Sequence, residues 1–172
     1  QEGARQVLAG MLNQRMGDIR FKLGSTYGTY AGRRAAAGPS VYRMGGTVDA
    51  ERGGESLAAM RDGIDMLRRG ENFEIDFVRS RREVLQGLLG ESTTTTSLIG
   101  RLAFVAKHGL DVNFYNTLLQ QVAASSPAQI KALIGSEINP VNETIVLMGS
   151  KAQLEAAFRG AGITDVKYVE PD

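Results

Sequence analysis

The feature that most restricts this fold is a change of hydrophobic period near residue 24. Val7, Leu8, Met11, Leu12, Met16, Ile19 and Leu23 recur at three- and four-residue steps, the spacing of one helical face packed on a core. From Thr26 the period is two: Tyr27, Thr29 and Ala31 face one way, and Gly28, Tyr30 and Gly32 the other. A helix over about 4–22 therefore runs straight into a strand. Gly24 supplies the permissive backbone for the turn. Arg20 sits on the last helical turn, where a cation complements the partial negative charge of the carbonyl end. Arg20 and Tyr27 thus share one junction. A guanidinium and a phenol placed there could both donate hydrogen bonds to a single carbonyl oxygen. The simpler roles are a dipole partner for Arg20 and a packing ring for Tyr27.

The strand is expected to continue to about residue 36. Ala37-Gly38-Pro39-Ser40 is turn chemistry, and a second strand over 41–48 completes an antiparallel hairpin, with Arg33, Arg34 and Arg43 as solvated residues on it. Asp49 is the expected N-cap of a helix over about 50–69 that buries Leu57, Met60, Ile64 and Leu67 and closes at Gly70. A further helix over about 73–89 carries Phe73, Phe77, Val84 and Leu88. The threonine-rich run 92–97 is a break, with Ser97 or a neighbour capping a helix that reaches Lys107. Asp111 is the expected cap of the next helix, whose stripe is Phe114, Leu118, Leu119 and Val122. Ser126 with Gln129, and Ser150 with Gln153, are two capping boxes, the first with Pro127 at the first helical position. Between them Thr144-Ile145-Val146-Leu147-Met148 is a nearly continuous apolar run, the mark of a strand covered on both faces, and a last strand is expected over 165–169. No repeat or linker divides the chain. The reading is one α+β domain over residues 1–172, a mixed, mainly antiparallel sheet packed against several helices.

At 172 residues such a domain buries roughly 70% of the surface its unfolded chain exposes, enough for a real core. Twenty basic against 19 acidic residues leave a net charge of +1, so no global field attracts nucleic acid. Arg79, Arg81 and Arg82 are interleaved with Glu74, Asp76 and Glu83, as on a solvated helix face. No apolar run approaches the ~18 residues of a membrane span, and Gln1-Glu2-Gly3-Ala4-Arg5 lacks signal-peptide character, so any export signal is expected upstream. The absence of cysteine excludes disulfides and thiolate metal sites but selects neither cytoplasm nor cell envelope. The single histidine, His108, reads as a cation at a helix C-terminus. Zinc hydrolases use three protein ligands, and no HxxEH or HExxH motif is present, so this chain alone is not expected to hold a metal or to hydrolyse anything.

Arg20, Gly24 and Tyr27, at the end of a helix entering a hairpin, resemble the Arg-Tyr signature in the non-catalytic half of the pitrilysin and insulin-degrading type of zinc peptidases, the family that includes the mitochondrial processing peptidase. Where that family often has Glu after the Arg and Leu-Ala after the Gly, this chain has Phe21, Ser25 and Thr26. Later landmarks extend the resemblance over nearly the whole chain: Gly70 with Phe73 and Glu74, Ser126 to Ile130, and Pro140 to Gly149. The resemblance implies the processing-peptidase-like metallohydrolase repeat, here lacking its first strand or strands. It further implies that Arg20 and Tyr27 hold the backbone of a peptide substrate, while zinc and the general base belong to a separate, catalytic half. A sheet short of an edge strand adds an expectation of association with a partner or with another copy of the chain. The same fold would also serve an inactive assembly subunit, in which Arg20 and Tyr27 are packing residues. From a different class, an unrelated small-molecule-binding α+β domain would need pocket polar groups that the sequence does not reveal.

Overall fold

A computed structural model of the chain describes residues 1–24, 26–34, 41–91 and 93–170, with the side chains of Arg20, Phe21, Thr26, Tyr27 and Arg34 outside that description. Among the described residues the order is α1 (Glu2–Leu23), β1 (Thr26–Arg34), β2 (Val41–Val48), α2 (Gly53–Arg68), α3 (Phe73–Gly90), α4 (Thr95–Lys107), α5 (Phe114–Ala123), α6 (Pro127–Glu137) and α7 (Lys151–Gly160), with 3-10 turns at Ala50–Arg52 and Pro140–Asn142. The fold is α+β and mostly helical.

The long first helix is the post around which the rest is built. Val7, Leu8, Met11, Leu12, Met16 and Ile19 are buried, as their spacing predicts, and burial extends round the helix to Ala4, Ala9, Gln14 and Arg15. The hairpin packs on α1, and so do α2, α3, α5 and α6. Leu8 and Leu12 thereby join Leu67, Phe73, Phe77, Val122 and Ile130 in one core. On α1 two approaches are close enough to require glycine. A Cβ at Gly3 would lie 2.5 Å from the backbone of Gln121 and Val122, and one at Gly10 would overlap the hydroxyl of Ser80, which donates to the carbonyl of Val7 at 2.7 Å.

The hairpin forms in a single antiparallel register, with Arg34 opposite Val41 and Thr26 opposite Val48. The expected turn at 37–40 and the end of the first strand at 35–36 lie outside the described residues. Arg33 is not solvated. Its side chain is only 5% exposed and pairs with Glu2, because the hairpin face that carries it is laid against the start of α1. Tyr42, opposite Arg33, donates to Glu137 of α6 at 2.9 Å, and Arg5 reaches the same carboxylate at 2.8 Å. Arg43 is exposed as expected, and the side chain of Arg34 lies outside the described residues.

Both capping boxes close as the sequence predicts, Ser126 with Gln129 and Ser150 with Gln153. Two other expected caps are displaced. Asp49 makes no side-chain cap bond: the chain first takes the 3-10 turn, and α2 starts at Gly53. The Asp111 carboxylate accepts from the N–H of Asn113 at 2.7 Å in the preceding turn, so α5 starts at Phe114. Thr94 caps α4, which draws Thr95 and Thr96 into the helix.

The larger correction concerns the sheet. Among the described residues it has two strands, and neither 144–148 nor 165–169 belongs to it. The run expected to be covered on both faces is open on one: Val146 is 78% and Met148 95% exposed, while Ile145 and Leu147 are half-buried. A strand is the property of a pair, and among the described residues no backbone hydrogen bond joins either segment to a second strand. The expected mixed sheet is therefore a single antiparallel hairpin.

Candidate functional site

The corner between α1 and β1 is built by three local devices. Gly24 takes a left-handed backbone, φ +61°, which turns the chain out of the helix. The guanidinium of Arg52 donates to the carbonyl of Leu23 and is itself held by Glu55 at 2.8 Å, so the carbonyl end of α1 is met by a cation that is not Arg20. β1 then runs back along α1, clamped by two bonds: the Thr29 hydroxyl donates to the carbonyl of Met16, and the N–H of Ala31 donates to Asn13 Oδ1 at 2.8 Å.

This antiparallel course fixes which backbones meet. Thr29 lies beside Met16. Two residues back along a strand span about 6.6 Å, and four residues on along a helix about 6 Å, so by these ordinary rises residue 27 runs toward the end of α1 that holds residue 20. Position 27 is also where the ladder slips: Thr26 pairs with Val48 and Gly28 with Thr47, leaving Tyr27 as the extra residue. Such an insertion bends the strand and re-aims the side chains around it. Of the two residues singled out in the sequence, Arg20 lies in the last turn of α1 and Tyr27 at the start of β1, and their side chains lie outside the described residues.

Sequence reasoning missed Arg52, Asn13 and Thr29 as the parts that hold this corner. Asn13 sits among apolar helical residues and carries a weak signal as a polar exception. For Arg52 no local pattern points to a carbonyl 29 residues earlier.

A groove of about 980 Å³ lies elsewhere, between the end of α2, the start of α3 and α6, lined by Leu67, Arg69, Phe73, Lys131, Ile134 and Ile138 among others. No described residue of the α1–β1 corner lines it. Among the described residues no group of three or more His, Cys, Asp or Glu is placed to hold a metal ion. His108 is exposed at the end of α4, its ring 4.5 Å from that of Phe104. Among the described residues no helix is long and apolar enough to cross a membrane. The chain matches no protein-family model and no curated protein.

Proposed function

We propose that this chain is the non-catalytic, substrate-binding half of a zinc metallopeptidase of the pitrilysin and processing-peptidase type. In this reading Arg20 and Tyr27 donate hydrogen bonds to a carbonyl of an extended peptide. What supports the reading is the course of β1 back along α1, with Thr29 bonded to Met16, which runs position 27 toward the end of the helix that holds position 20. Arg52 supplies a cation at the end of α1, which supports it. Binding the backbone rather than side chains implies broad peptide selectivity. Metal and general base are assigned to a separate half, and hydrolysis is that half's work.

The test is made on this chain purified together with its zinc-bearing half. Arg20→Ala should lower kcat/KM for a peptide by about 10- to 100-fold and Tyr27→Phe by about 3- to 10-fold, the range expected for a charged and a neutral hydrogen bond. Zinc content and thermal stability should stay unchanged. Undiminished turnover in both variants would remove the binding role and leave the chain as an inactive assembly subunit of the same fold.

A further inference from the structure

Residues 163–169 read Ile-Thr-Asp-Val-Lys-Tyr-Val and follow α7 without entering a helix or strand. The last backbone bond before them is from the N–H of Ile163 to the carbonyl of Phe158, at 2.9 Å. Among the described residues, no backbone hydrogen bond reaches 164–170. Val166 is half-buried, while Asp165, Lys167 and Val169 are exposed. Ile145 lines the same depression as Ile163, Asp165, Val166 and Lys167, about 340 Å³ in volume, with Arg61 and Glu143 on its wall. The surface thus combines unpaired main-chain donors and acceptors, strand-forming residues and exposed apolar side chains. An extended chain satisfies all three at once.

The charges say which chain. Suppose two copies of 163–169 pair antiparallel about a two-fold axis through Val166. Asp165 then faces Lys167 of the second copy, and Lys167 faces its Asp165. Thr164 meets Tyr168, and Ile163 meets Val169. Because side chains alternate along a strand, both ion pairs fall on one face, and opposite charges directly across strands stabilise the pairing. The neighbouring registers that keep the same faces together fail on charge. Moving the axis to Lys167 sets lysine against lysine, and moving it to Asp165 sets aspartate against aspartate. A one-residue slip turns every side chain to the other face. From this self-complementarity we infer that residues 163–169 form an isologous antiparallel strand pair with a second copy of this chain. The pairing requires nothing of Arg20 or Tyr27 and stands or falls apart from the peptidase reading.

The test is the mass of the whole chain in solution, by sedimentation over a concentration series. The wild-type chain should dimerise. Asp165→Lys and Lys167→Asp should each weaken the dimer about tenfold or more, since either turns both cross-strand attractions into repulsions. The double variant Asp165→Lys with Lys167→Asp should restore the wild-type dimer. Both positions are exposed, and circular dichroism checks that each variant is folded. A wild-type chain that stays monomeric at every concentration, single variants that dimerise like the wild type, or a double variant that fails to recover would each overturn the inference.

Discussion

At the scale of single residues, the carboxylate of Glu137 shows how one group ties three elements together. It accepts from Tyr42 of β2 and Arg5 of α1. Burial alone would raise its pKa, but the hydrogen bonds and charges of its partners outweigh burial and hold it below the ordinary value. A carboxyl depressed in the folded state adds stability above its unfolded pKa, and this is lost as pH falls through the folded value. Burial, and then the bond to Glu137, push the Tyr42 phenol up. Stability from that group is complete below about pH 10, where an unfolded tyrosine ionises, and declines as pH rises beyond it. Denaturant unfolding across pH should therefore show an acid limb that flattens in Glu137→Gln and an alkaline limb that flattens in Tyr42→Phe. None of this was legible in the sequence, because Arg5, Tyr42 and Glu137 share no pattern. Arg33, read as solvated, has a charge that suits the surface until the hairpin is docked on α1. Arg20 and Tyr27 could be singled out because a period change and a glycine mark their corner locally.

At the scale of elements, α4 is the exception to the usual arrangement of a helix. Its buried residue is Arg101, while Leu98, Ile99 and Leu102 are exposed. Arg101 donates to the carbonyl of Leu88 at 2.7 Å and to Glu91 at 3.1 Å, and its guanidinium lies 4.5 Å from the centre of the Tyr115 ring. A planar cation that stacks and donates in several directions has no substitute in lysine. Arg101→Ala and Arg101→Lys should both speed amide hydrogen exchange across α4 by about tenfold or more, the loss of one or two charged hydrogen bonds, while leaving exchange in α1 unchanged. Slow exchange in α4 of both variants would show that another contact holds it. The extent of α4 was partly readable from its cap and its end at Lys107; which side faces inward was not, because hydrophobicity points the other way. The seven helices were legible because period and capping are local. The strands expected at 144–148 and 165–169 do not form, because an apolar run of strand length states a preference that only a partner strand can fulfil.

At the scale of the whole molecule, the cohesion of the fold rests on the close fit of α1 against helices far along the chain. The N–H of Gly3 donates to Gln121 Oε1 at 3.1 Å, and the Gly3 backbone touches that of α5 so closely that no side chain fits between. Gly3→Ala should lower the stability of the entire domain by about 1 to 3 kcal/mol, the usual effect of overpacking a filled interface. All probes should shift together in urea, since the same post carries every neighbour. A change confined to the ends of α1 and α5 would mean that the contact is local.

That contact joins positions 118 residues apart. On the ribosome the first helix is made long before α5 exists, and at 5–20 residues per second it waits roughly 6 to 24 s for its cover. Early in that interval Leu8, Met11, Leu12 and Met16 have only the hairpin to lie against, and α2 and α3 join it before α5 and α6 are made. The nascent chain is therefore at its most adhesive while it is half made, and its yield in a cell is set by what shields α1 until the later helices emerge.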